Sequence, residues 1–181
     1  KMPPNTATAS NLAEEILRNI EPERVILGPG PSVPEAYPLT MELARKSVNG
    51  ELLIDGNHIP ILGLCLGHQA LGIVDGWDLI QSPSGAVHGT PCLIRNNGTG
   101  IFEGLPSEII MMRYNSLVIE PNGGSLVPNS WDLSGELVMG LMHEYLPIHG
   151  VQFHPESVGS PRGRELLDGF LAKRSFASSD P

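Results

Sequence analysis

The stretch PILGLCLGHQALG, residues 60–72, constrains this chain more than any other. A continuous run of Ile, Leu and Gly has the pattern of a strand buried on both faces. It delivers one cysteine and turns at once into a helix-like segment that begins near Leu66. Gly63 and Gly67 bracket Cys65 as Gly-x-Cys-x-Gly, the spacing of a nucleophile elbow with sulfur in place of a hydroxyl. The two glycines are required because side chains there would collide with the turn and the neighbouring strands. Such a turn exposes the sulfur at the carboxyl end of a strand, where open α/β sheets place their ligands. It also sets the thiol at a helix N-terminus, whose partial positive charge favours thiolate. The backbone N–H of Leu66 then faces whatever the thiolate attacks, which is half of an oxyanion hole. A free cysteine in an apolar run also reads as core filler, so the elbow needs partners elsewhere.

A thiol nucleophile needs a base, and the base needs a third group to orient it. The chain has six histidines. His58, His143 and His149 border polar turns or an acidic loop, and surface positions are expected for all three. His68 lies in the elbow helix, too near Cys65 in sequence to face the sulfur easily. His154 ends the strand-like GVQFH and is followed by a rigid Pro155 and the carboxylate of Glu156. An imidazole and a carboxylate can thus be held together at a strand end, about 90 residues after the cysteine. A second oxyanion donor is expected from the loop ILGPGPSVPE, where Gly28 and Gly30 alternate with Pro29 and Pro31. Proline has no N–H, so the free donors are few, Gly30 foremost. The same loop also reads as a plain Pro-Gly turn after a strand.

Around these segments strands and helices alternate. NLAEEILRNI, with Ser10 as N-cap, LTMELARKSV and SPRGRELLDGFLAKR read as helices. RVILG, IPILGLCLG, PCLIRNN, MMRYNSLVIEP, ELVMGLMHE and IHGVQFHPE read as strands. The expectation is an α/β fold with a mostly parallel central sheet flanked by helices, a single domain over residues 1–181 with a frayed tail at 175–181. A net charge of −9 leaves no basic patch for nucleic acid, and no apolar run is long enough for a membrane span. Two cysteines disfavour a disulfide framework and suit a reducing, cytoplasmic setting. No paired ligand spacing suggests a metal, and no cofactor is implied.

GLCLGHQ, FHPES and the Gly-Pro loop together resemble the class I, triad-type glutamine amidotransferases, from about Val25 to Leu171. The resemblance implies a flavodoxin-like fold and an enzyme that hydrolyses L-glutamine. It assigns Cys65 as nucleophile, His154 as general base and acid, and Glu156 as orienting carboxylate. Gly30 and Leu66 would supply oxyanion N–H groups, and Gln69 would contact the amino-acid end of the substrate. GAVHGTPCLIRNNGTGIFEGLP followed by MMRYNSLVIEP is most similar to the small subunits of anthranilate synthase and aminodeoxychorismate synthase. That branch places Ser116 and Leu117 where backbone groups hold glutamine, and implies a chorismate-using synthase as partner, separate or fused. A plastid setting would follow in a photosynthetic eukaryote.

Three departures from the family pattern stand out. The family loop reads Ser-Pro-Gly-Pro-Gly; here, after Gly30 and Pro31, Ser32 replaces a glycine and would carry a penalty at positive φ. Asn115 and Thr90 stand where histidine and lysine are usual, and are read as lying toward the partner surface. The family's opening strand and helix have no counterpart, so about 30 to 45 further residues upstream are expected in the natural protein. Two rival readings stay open: a stand-alone γ-glutamyl thiol hydrolase, and a non-catalytic interaction module on the same fold.

Overall fold

A computed structural model describes residues 6–172 and 176–177. Its helices are α1 (Thr6–Ile20), α2 (Pro38–Val48), α3 (Leu66–Val74) and α4 (Gly163–Ala172). Its strands are β1 (Val25–Leu27), β2 (Leu53–Ile54), β3 (Asn57–His58), β4 (Ile61–Leu64), β5 (Asp78–Gln81) and β6 (Thr90–Asn96). They continue as β7 (Glu108–Arg113), β8 (Leu117–Glu120), β9 (Leu126–Asp132), β10 (Val138–His143), β11 (Ile148–Val151) and β12 (Phe176–Ala177).

β4 is buried along its whole length, as its unbroken apolar run requires. Its side chains alternate between two cores. Ile61 faces the layer built by Ala13 and Leu17 of α1, Leu43 and Ala44 of α2, and Ala70 and Leu71 of α3. Leu62 and Leu64 face the opposite layer, with Phe153, Leu166 and Phe170. Each fully buried side chain of this size contributes roughly 1.5–3 kcal/mol of transfer free energy.

The main sheet runs β1-β4-β11-β10-β9-β6-β7. The α/β class is as expected, and the parallel pairing is concentrated around the elbow strand. β4 is parallel to β1 and to β11, whereas the four pairings from β11 through to β7 are antiparallel. Among the described residues no α-helix intervenes between β5 and β11, so these strands lack the helical crossovers that parallel neighbours need. MMRYNSLVIEP is two strands, not one. β7 stays in the main sheet while β8 leaves to pair with β5, and the break falls at 114–116.

Other expectations are corrected locally. α1 begins at Thr6, so Ser10 lies inside the helix and is not its cap; the alternating alanines extend the helix a turn earlier. The Ser10 hydroxyl instead reaches Glu42 of α2. Residues 53–58 form a small hairpin whose turn residues Asp55 and Gly56 both have positive φ, 51° and 77°. Within the segment read as a frayed tail, Phe176–Ala177 pair with that hairpin as β12; the remainder of 173–181 lies outside the described residues. Among the described residues, no helix is long and apolar enough to cross a membrane.

Candidate active site

The elbow is a consequence of close backbone packing. Cys65 caps α3 at φ 51°, ψ −97°, a left-handed conformation that a non-glycine residue holds only where its surroundings over-determine it. The surroundings do so. A Cβ on Gly63 would come within 2.5 Å of the Gly67 backbone, and one on Gly67 would overlap the Leu27 carbonyl of β1. The Cys65 N–H donates to the Val151 carbonyl at 2.8 Å, tying the turn to β11. The sulfur therefore sits at the carboxyl edge of the parallel strands and at the start of α3, in a residue that is 9% exposed.

β11 brings the second component. Leu64 of β4 lies opposite Val151, so the chain beyond Val151 runs alongside the elbow. His154 Nδ1 is 2.7 Å from Glu156 Oε1. The His154 backbone is clamped from both directions: its N–H donates to Met112, and its carbonyl accepts from the Ser160 hydroxyl at 2.6 Å. Tyr114 packs edge-on against the imidazole, with ring centroids 4.9 Å apart. Nε2 is buried with no partner at hydrogen-bond distance, although the imidazole interacts with Cys65. Burial opposes protonation of His154, but its interactions with Cys65 and then Glu156 outweigh that cost and raise its pKa to about 9. For Glu156, burial pulls the other way, yet the bond to His154 prevails and holds the carboxyl below its usual range.

The remaining histidines do other work. His68 is fully buried, and desolvation holds it neutral with a pKa of about 3. His149 was expected at the surface but is buried in β11, beside Phe170. Strand alternation places it on a core face, which its polar flanks concealed. His143 is partly exposed and caps a turn, its Nδ1 accepting the Tyr145 and Leu146 N–H groups. Cys92 is an ordinary residue of β6.

A pocket of about 140 Å³ opens beside the sulfur. Gly30, Pro31, Ser32, Cys65, Gln69, Ser116 and Leu117 all line it, as do Tyr114 and Asn115. Leu66 does not line it: its side chain is buried against Gly30, leaving only its backbone as a candidate contributor. The Gly-Pro loop is braced by Tyr37, whose hydroxyl donates to the Pro31 carbonyl at 2.9 Å. Ser32 adopts φ 73°, a left-handed conformation that favours glycine. A larger cavity of about 360 Å³ lies between α1, α2 and β2, edged by Glu14, Glu21, Lys46 and Glu51. Its lining holds no thiol, hydroxyl or imidazole, whereas the smaller pocket contains the Cys65 thiol.

Sequence reasoning missed Gln152. It is fully buried, and its side-chain nitrogen lies 3.5 Å from the Cys65 sulfur. A polar residue between Val151 and Phe153 in an apolar strand was the available signal. Asn115, read as lying toward a partner surface, is buried and bonded to Arg113 and Leu117; Thr90 is exposed.

The sequence matches the family model described as glutamine amidotransferase class-I over residues 1–174. It is 37% identical over 159 residues to anthranilate synthase component 2 of Thermus thermophilus, covering 87% of this chain and 74% of that one. It is 34% identical over 154 residues to aminodeoxychorismate synthase component 2 of Escherichia coli, covering 84% of this chain and 77% of that one. A solved glutamine amidotransferase from Thermotoga maritima shares the fold, with a TM-score of 0.63 at 20% identity over 84% of this chain and 64% of that one.

Proposed function

The chain belongs to the class-I glutamine amidotransferase family, and from that premise we propose that it hydrolyses L-glutamine and passes the ammonia to a chorismate-using synthase. In this reading the Cys65 thiolate attacks the side-chain amide carbon of glutamine. The oxyanion is received by backbone N–H groups of Leu66 and Gly30. His154 gives its Nε2 proton to the departing nitrogen, and ammonia leaves a γ-glutamyl thioester. The now neutral His154 takes a proton from water, the hydroxide attacks the thioester, and glutamate is released as the thiolate re-forms. Glu156 keeps Nδ1 protonated and the ring aligned throughout. The observation that carries the reading is the imidazole itself: one nitrogen is fixed by Glu156 at 2.7 Å, and the ring interacts with Cys65, which lines the pocket.

The partner class rests on the relatives, which are synthase components of two chorismate-linked enzymes. The synthase, separate or fused, binds chorismate; this chain carries only 11 Lys plus Arg and no cluster suited to a dicarboxylate. The test is a reconstituted complex with each synthase in turn. Cys65→Ser is expected to lose glutamine-dependent product formation by about 10³-fold or more and to keep full activity when ammonium is supplied. Equal loss with ammonium would overturn the division of labour, and turnover with neither synthase would overturn the partner class.

A further inference from the structure

The parallel register that forms the elbow has a second effect. Leu64 lies opposite Val151, so the next step along both strands brings Cys65 beside Gln152. Gln152 is 0% exposed and flanked in sequence by Val151 and Phe153, both in the apolar core. A primary amide in such a place is costly unless its hydrogen bonds are made. Its Nε2 lies 3.5 Å from the Cys65 sulfur, and its Oε1 accepts from Gln69 Nε2 at 3.0 Å.

The direction of this amide is set at the Leu117 carbonyl, which also receives the Asn115 side chain held by Arg113. A guanidinium only donates, so the Asn115 atom 3.2 Å from Arg113 Nε is its oxygen. The Asn115 nitrogen is thereby turned to the Leu117 carbonyl, at 2.9 Å. That carbonyl only accepts, so the end of Gln69 that meets it at 3.1 Å is its nitrogen. The second N–H of Gln69 then requires an oxygen, which is Oε1 of Gln152. Gln152 is left with only N–H to present to the sulfur. Reversing Gln69 would set two oxygens face to face at the Leu117 carbonyl, and reversing Gln152 would set two N–H groups face to face at Gln69.

We propose that Gln152 is a positioning residue that selects the thiolate of Cys65, its N–H aimed at the sulfur by the Leu117 carbonyl acting through Gln69. A thiolate accepts that N–H as a charge-assisted bond, whereas a neutral thiol gains much less from it. Gln69 is also one helical turn beyond Cys65, where the pocket opens. Glutamine seated on Gln69 therefore presses on the same amide that holds the sulfur, which links substrate binding to the state of the nucleophile. The other charged groups facing the sulfur are His154 with Glu156 behind it, and His68 in α3 is neutral. The inference rests on Cys65 being the nucleophile.

The test is the pH profile of Cys65 alkylation by iodoacetamide, which requires no glutamine turnover. In Gln152→Met, of similar length but without N–H, alkylation near pH 7 is expected to slow about tenfold and the midpoint to rise by about one pH unit. Gln152→Glu is expected to slow further, because a carboxylate repels the thiolate. The kcat for glutamine should fall with alkylation, while KM changes by less than about threefold. A measurement on the unaltered protein guards against a variant that does not fold: the Gln152 side-chain amide resonance should move with the alkylation midpoint, and stay still in Cys65→Ser. A folded Gln152→Met with an unmoved midpoint, or a flat amide resonance, would overturn the proposal. Failure of the glutaminase reading looks different: no glutamine turnover with any synthase, but the Gln152 dependence of alkylation intact.

Discussion

Two regions of the molecule meet at the pocket and achieve their precision by different means. The parallel region, β1, β4 and β11 with α3, does it with backbone. Gly63 and Gly67 allow main chain to approach main chain, and the forced φ at Cys65 follows. The antiparallel arm, β10, β9, β6 and β7, does it with side chains. Its last residue, Arg113, is buried and holds Asn115, whose side chain meets the Leu117 carbonyl that also receives Gln69. Backbone packing resists change almost absolutely, because a single methyl has nowhere to go. A hydrogen-bonded relay can be broken at one link and still leave a folded protein.

That difference sets the scale of the expected effects. Gly67→Ala would drive a methyl into the Leu27 carbonyl and is expected to cost about 3 kcal/mol or more of stability. Asn115→Ala should cost about 1–2 kcal/mol, the penalty of leaving the buried Arg113 donor unmatched. Urea unfolding midpoints measure both, and equal losses would erase the distinction between the regions.

A pH series sharpens it. The folded-state pKa of His154 is raised from an ordinary 6.5 to about 9, so its stabilisation is complete below pH 6.5 and is lost as pH climbs through 9. The difference in unfolding midpoint between wild type and His154→Gln should therefore shrink across that interval. The corresponding difference for Asn115→Ala should stay flat, because that contact joins a guanidinium to an amide and involves no imidazole. A flat His154 difference would mean that the imidazole is not held by its two neighbours.

The smallest effect belongs to Ser32, at φ 73° in the loop that follows β1. Ser32→Gly is expected to raise stability by less than about 1 kcal/mol, the relieved strain being partly offset by greater freedom in the unfolded chain. Ser32→Val should lower it by a larger amount. If both substitutions moved the midpoint in the same direction, backbone strain would not be the controlling factor there.

The same contrast explains what was legible in the sequence. The parallel region could be read because its demands are local. Gly63, Cys65 and Gly67 state the elbow within five residues, and His154-Pro155-Glu156 states the paired imidazole and carboxylate within three. The arm could not be read in this way. Whether 114–116 is strand or break depends on β8 finding β5, a partner far away in sequence. Asn115 seemed a surface residue because its bonding partners, Arg113 and Leu117, are neighbours that only a sharp departure from the strand brings into reach. His149 on β11 and Gln152 just beyond its end are polar letters whose burial is decided by β4 and β10, not by their own flanks.

The parallel pairing of β4 with β11 also dictates an order of events during synthesis. Cys65 and Gln152 are 87 residues apart, and everything that lies between them must leave the ribosome before they meet. Closing so long a loop is slow compared with forming the hairpins of the intervening arm. A nascent chain therefore has its sulfur early and its imidazole late. Through that interval Cys65 has neither Gln152 nor His154 beside it, and its surroundings are completed only when β11 docks on β4.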